Sequence, residues 1–209
     1  MDIRVILFDF GGVIWTPIDE MAVRTNRERL ARDLGFEDMG LMWQYFYGGE
    51  EWRLTKVGRQ TDTQMWSSLL KPLGLSTEVS QKAFVKELFQ GVGLKPEMEK
   101  VLRALSEKYS LGILSNASDL LESLIHDELG IGDYFTSIVN SYRIGVAKPQ
   151  HESYEIALDR LDAKPNEVFF VDDQPRNTVA AEALSIRSHV FTGVGDLRRD
   201  LIKMTLLTG

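Results

Sequence analysis

The sequence contains no cysteine and only three histidines, His126, His151 and His189, which are scattered without the spacing of metal ligands. Disulfides and thiolate metal sites are therefore excluded, and neither a histidine metal centre nor a histidine base is expected. Lack of cysteine is compatible with a reducing compartment, so a cytoplasmic location is the expectation. Also missing is any Lys/Arg run longer than two residues. Acidic side chains outnumber basic ones 31 to 24, for a net charge of −7. That balance argues against a surface that tracks nucleic-acid phosphates. The first residues carry charge of both signs, and the apolar run behind them is interrupted at Asp9, so neither a signal peptide nor a membrane span is expected and the mature chain is expected to begin at Met1. Biased tracts and internal repeats are absent as well.

What is present is close to the average of folded domains. In 209 residues, 44% are hydrophobic and 26% charged, enough for one well-buried core and a small second module. Residues 3–8 form an apolar run bounded by Asp9 and Gly11-Gly12, the pattern of a strand buried on both faces and hence of a parallel sheet. From about Ala22 to Phe89 the spacing is helical, punctuated by glycines and Pro72, and predicts four or five short helices. Beyond Gly91 the rhythm alternates. Helices are predicted near 96–108, 119–129 (capped by Ser118), 151–161 and 175–184 and at the end of the chain, and strands near 110–114, 137–140, 167–171 and 187–191. Alternation of this kind implies an α/β fold with helices on both faces of a parallel sheet.

Ligands of open parallel sheets bind at the carboxyl ends of the strands, which directs attention to four places. Asp9 ends the first apolar run on a tight Gly11-Gly12 turn where backbone can approach a ligand. It suits a nucleophile, or an acid that satisfies the turn's own amides. Asp172-Asp173 closes another apolar run; adjacent carboxylates there call for a cation such as magnesium, or for capping of the helix that Pro175 begins. Ser115-Asn116 can hold phosphoryl oxygens or serve as turn chemistry. Lys148, stiffened by Pro149, can neutralise a transferring phosphoryl group or sit solvated on the surface. Each group occurs once, in order, at or beside a separate strand.

As a set, Asp9-Phe10-Gly11-Gly12-Val13, Ser115-Asn116, Lys148-Pro149 and Asp172-Asp173 with Asn177 resemble the four motifs of the haloacid-dehalogenase-like hydrolase superfamily. The stretch from Gly48-Gly49-Glu50 to Trp66 is similar to the helical cap that one subgroup inserts after the first motif. The resemblance implies a Rossmann-like catalytic core over residues 1–14 and 91–209 and a small α-helical cap over 15–90. It further implies a phosphatase in which Asp9 forms an aspartyl-phosphate and Ser115, Asn116 and Lys148 hold the phosphoryl oxygens. Asp9, the carbonyl of Gly11 and one or both of Asp172 and Asp173 would bind magnesium (Mg²⁺). A small phosphorylated metabolite is the expected partner, with no nucleic acid and no membrane.

One position departs from the pattern. The superfamily's phosphatases and mutases usually carry a second aspartate two residues after the nucleophile as general acid and base, and here that residue is Gly11. General acid catalysis supplies on the order of 10² to 10⁴ in rate, so attack is expected to survive while leaving-group protonation suffers. Substrates with stable leaving groups follow, such as anomeric sugar phosphates, acyl phosphates or aryl phosphates. Trp15, Gly12, Glu50, Trp52 and Arg53 are the further candidates for touching substrate, although aromatics at helical spacing also build a small module's own core. Two alternatives stand beside the phosphatase: a 2-haloacid dehalogenase, and a silent binding or regulatory protein that lost turnover with the second acid.

Overall fold

The computed structural model describes residues 3–208; residues 1, 2 and 209, which include the outer ends of the expected core segments, lie outside the described residues. Its centre is β1 (Val5–Phe8), every residue of which is buried. Two strands follow as a separate ribbon, β2 (Trp15–Pro17) and β3 (Val92–Leu94), paired antiparallel. The main sheet adds β4 (Ser110–Ser115), β5 (Ser137–Asn140), β6 (Val168–Asp172) and β7 (Arg187–Val190), in the order β5-β4-β1-β6-β7. All of its pairings are parallel. From β1 the chain builds outward through β4 and β5, then crosses to the other side for β6 and β7. The order therefore reverses between β1 and β6, and the crevice at their carboxyl ends is where such sheets bind ligands.

Alternation along the strands divides the core. Ile6 and Phe8 of β1 join Ile113, Phe169 and Val171 in one apolar cluster, while Val5 and Leu7 join Leu114, Val139 and Phe170 in another on the opposite face. Between β2 and β3 lie α1 (Glu20–Asp33), α2 (Met39–Tyr47), α3 (Glu50–Thr55), α4 (Asp62–Leu70) and α5 (Glu78–Leu88). In the sheet-forming part, α6 (Pro96–Ser106), α7 (Leu121–Ser123), α8 (Ser141–Ile144), α9 (His151–Arg160), α10 (Pro175–Ala183) and α11 (Val194–Lys203) connect and cover the strands. Met98 and Leu102 of α6 and Leu197 and Leu201 of α11 bury their apolar stripes on the first cluster. Tyr154 and Ala157 of α9 and Ala181 of α10 close the second.

Two local features differ from the sequence expectation. The helix expected over 119–129 is a single turn, α7, that widens into a π-helical turn over Leu124–Glu128, closed by the Leu129 N–H to the Leu124 carbonyl at 2.9 Å. The β2–β3 ribbon was not foreseen, because three-residue strands containing Pro17 or Gly93 show no alternation to read. Through this ribbon the helices α1–α5 leave the sheet and return beside it. They enclose a third apolar cluster, built on Leu30, Met42, Phe46, Met65, Trp66 and Leu70. No helix among the described residues is long and apolar enough to cross a membrane.

Phe46 is fully buried in that third cluster, with the rings of Trp66 and Phe84 edge-on at 5.2 and 5.9 Å. Phe46→Ala is expected to cost about 3–5 kcal/mol of stability in urea unfolding, the range for emptying an aromatic core site. A loss under about 0.5 kcal/mol, the level of surface substitutions, would contradict this packing.

Candidate active site

The first turn beyond β1 is built around Asp9. Its N–H continues the sheet ladder to the Val171 carbonyl at 2.8 Å, and the Phe10 N–H donates to its Oδ1 at 2.7 Å. The Phe10 carbonyl accepts from the N–H groups of Ile14 and Trp15, both at 2.9 Å, which fixes the turn. Across the crevice, β6 ends on Asp172. The Lys148 ammonium reaches in from the loop before α9, lying 3.0 Å from Asp9 Oδ1 and 2.6 Å from Asp172 Oδ2. Its side chain is fully buried, so the charge is held by these carboxylates in place of water.

Asp172 is saturated. Besides Lys148 it accepts from Asn177 Nδ2 at 2.9 and 3.1 Å and from the Gln174 N–H at 2.8 Å, and it has no exposure. Asn177 is held in turn through its main-chain carbonyl, which accepts from the Tyr154 hydroxyl at 2.8 Å. Lys148 is placed by its backbone. Asn116 Oδ1 accepts from the Lys148 N–H at 2.8 Å, and Asn116 Nδ2 donates to the Lys148 carbonyl at 2.9 Å. The Asn116 side-chain amide is thus spent on this clamp, beside the buried Ser115.

Asp9, Asp172 and Asp173 each offer a carboxylate oxygen within 4.8 Å of the others. Burial pushes the Asp9 carboxyl up to about 7; Lys148 opposes this, and the charges of Asp172 and Asp173 add to it. Asp173 is raised as well, by burial first and by Asp172. An all-oxygen set crowded enough to resist its own ionisation fits a hard cation such as magnesium. With Asp172 committed to Lys148 and Asn177, Asp9 and Asp173 are the carboxylates left for one. Gly12 is shaped by the same crowding: its φ is +81°, and a Cβ there would stand 2.7 Å from Asp173 Oδ2. At Gly11, by contrast, a Cβ would meet nothing within 4 Å, so the missing second acid is not a matter of space.

The other sequence candidates are held in packing or ion pairs of their own. Trp15 is in the ribbon, stacked on Phe10 at 6.1 Å and tilted against Phe89 at 4.9 Å. Trp52 packs edge-on to Tyr47 at 5.1 Å at the margin of the helical cluster. Glu50 and Arg53 are exposed and paired with each other. Sequence reasoning passed over the end of β5, where Ser141 Oγ accepts from the Ala117 N–H at 3.1 Å and Asn140 Nδ2 donates to the Ser118 carbonyl at 2.8 Å. These two shape the loop behind Ser115, and a polar pair at the end of a buried strand was the available signal.

A family model described as haloacid dehalogenase-like hydrolase matches residues 3–184. Among curated relatives, bifunctional epoxide hydrolase 2 of Rattus norvegicus is 28% identical over 98% of this chain, which spans only 39% of that protein's length. The (S)-2-haloacid dehalogenase 1 of a Pseudomonas species is 26% identical over 81% of this chain and 75% of its own. Among solved structures, a HAD family enzyme of Bacteroides thetaiotaomicron in complex with magnesium and inorganic phosphate superposes with a TM-score of 0.70 at 22% identity. That match covers 90% of this chain and 93% of the other.

The raised Asp9 carboxyl has a consequence for stability in chelator, without metal. Between the ordinary carboxylate value of 3.8 and about 7 the folded state binds a proton that the unfolded state releases, so Asp9 makes the protein less stable as pH rises through this window. Urea midpoints of wild type and Asp9→Asn at pH 5 and pH 8 are expected to differ, the variant losing less stability on the alkaline side. Equal pH dependence in the two proteins would show that Asp9 is not perturbed.

Proposed function

Because the chain belongs to the haloacid dehalogenase-like hydrolase family, we propose that it is a magnesium-dependent phosphatase of a small phosphate ester, with Asp9 as nucleophile. The observation that carries this is the cluster of Asp9, Asp172 and Asp173 crossed by the buried Lys148. The crystallised Bacteroides relative, which holds magnesium and phosphate on the same fold, supports it. Residues 1–14 and 91–209 are the catalytic core in this reading, and residues 15–90 a helical cap that closes over the substrate and excludes water.

Asp9 Oδ1 is fixed by the Phe10 N–H and Lys148, and among the described residues no hydrogen bond is made to Oδ2. Oδ2 is therefore the oxygen that attacks phosphorus. The phosphorus–oxygen bond to the leaving group breaks, its electron pair goes to the departing oxygen, and an aspartyl-phosphate stays on Asp9. Water then attacks that phosphorus, and inorganic phosphate and the Asp9 carboxylate are released. Lys148, the Ser115 hydroxyl and the Asn116 main-chain N–H bind the phosphoryl oxygens; single donors of this kind contribute roughly 3–4 kcal/mol. Asp9, the Gly11 carbonyl and Asp173 would hold magnesium, which would supply positive charge that lets one anion approach another. Asp172 is the positioning residue that keeps Lys148 in place.

The dehalogenase alternative draws on the Pseudomonas relative and on the absence of a second acid at Gly11. Asp173 weighs against it: a carboxylate beside the nucleophile, with no cation to offset it, opposes ionisation of Asp9 and brings no benefit to halide displacement.

In steady-state assays with magnesium, the wild type is expected to hydrolyse p-nitrophenyl phosphate, and Asp9→Asn to abolish turnover. Activity surviving in that variant would remove Asp9 as nucleophile. Inactivity of the wild type would favour the silent protein, and metal-independent halide release from 2-chloropropionate would favour the dehalogenase. Because Gly11 has room for a side chain, Gly11→Asp is expected to raise alkyl phosphate hydrolysis relative to aryl by about 10²-fold, the lower end of general-acid contributions. If wild type already cleaves alkyl esters as fast as aryl ones, the leaving-group argument is wrong.

A further inference from the structure

The stretch that ends β5 and leads to Lys148 holds the loop after β4 residue by residue. Asn116 is clamped to the Lys148 main chain through its side-chain amide, at 2.8 and 2.9 Å. The Ala117 N–H donates to Ser141 Oγ at 3.1 Å, and the Ser118 carbonyl accepts from Asn140 Nδ2 at 2.8 Å. The Asp119 carbonyl accepts from a guanidinium N–H of Arg143 at 3.2 Å. Residues 140–148 therefore fix residues 116–119 and also carry the buried ammonium.

Asn140 and Ser141 are 0% and 1% exposed, although β5 is an edge strand of the sheet. Burial strips both side chains of water, and an apolar pair of similar size would fill the space without that penalty. Helix capping explains only half of one of them. Asn140 Oδ1 accepts from the Tyr142 N–H at 3.0 Å and so caps the single turn α8. Its Nδ2 goes instead to the Ser118 carbonyl and to Glu122, and the Ser141 hydroxyl to Ala117, all of them beyond β4. Among the described residues, neither the Ser115 hydroxyl nor the Asn116 main-chain N–H makes a hydrogen bond. In the phosphatase reading these two are donors to the phosphoryl oxygens, and such donors act only if they are held where charge develops.

We propose that Asn140 and Ser141 are positioning residues for phosphoryl transfer, which set the donors at Ser115 and Asn116 in register with the Lys148 ammonium. The proposal rests on the phosphatase reading. One stretch of chain fixes both sets of groups, so slackening it costs binding of the transition state more than binding of product phosphate.

The test measures kcat and KM for p-nitrophenyl phosphate with magnesium, and inhibition by orthovanadate and by inorganic phosphate, in wild type, Ser141→Ala and Asn140→Ala. Orthovanadate takes up the five-coordinate geometry of phosphoryl transfer, whereas phosphate is the product. The ratio of their inhibition constants does not depend on how much of the enzyme is folded. Each variant is expected to lower kcat by about 10- to 10²-fold with little change in KM, and to weaken orthovanadate about tenfold relative to phosphate. A purely structural role lowers kcat and leaves that ratio alone. An unchanged ratio therefore overturns the positioning role while leaving the phosphatase intact. The two side chains hold different residues of the loop, so either variant that folds decides the matter. Failure of wild type to hydrolyse p-nitrophenyl phosphate overturns the phosphatase reading and the positioning role with it.

Discussion

A lysine whose side chain has no exposure is tenable only where carboxylates replace its water, and the candidate site is organised by this requirement. Lys148 lies between Asp172 at 2.6 Å and Asp9 at 3.0 Å, tying the carboxyl ends of the two strands that flank the reversal in strand order. Because truncating one partner of a buried pair strands the other charge, these three side chains form a unit. Asn116 fixes the lysine's backbone on one side, Asn177 and Gln174 fill the hydrogen bonds of Asp172 on the other, and the Tyr154 hydroxyl holds Asn177 through its main-chain carbonyl.

A division among the three aspartates follows. Asp172 is turned inward and consumed by its partners. Asp9 shares only Oδ1, and Asp173 is bound through its side chain by Gln174 Nε2 at 2.9 Å. Burial first, and then the charges of Asp172 and Asp173, push the Asp9 carboxyl up to about 7, and a cation would relieve both. Gly12 keeps the space that Asp173 needs, whereas Gly11 leaves space that no side chain fills. The two glycines of one turn therefore have different meanings, one steric and one chemical.

Much of this was legible in the sequence. The runs ending at Asp9, Ser115 and Asp172 are apolar on both faces and bounded by polar residues, so their strands and strand ends could be read locally. Which aspartate is consumed could not, because it depends on Lys148 arriving from 24 residues away and on Asn116 clamping it from 32. Trp15 stood next to the first motif and suggested a substrate contact; its ring contacts with Phe10 and Phe89 could not be read locally, because Phe89 is distant in sequence.

The helical layer has its own aromatic core, and the β2–β3 ribbon joins its two ends. The central claim, that Asp9 is the group that takes the phosphoryl, is tested most directly by the stereochemical course at phosphorus, followed with a chiral oxygen-labelled phosphorothioate ester. Two in-line displacements through Asp9 give net retention of configuration, the expected result. Net inversion would mean that water attacks the substrate directly, and it would contradict the account.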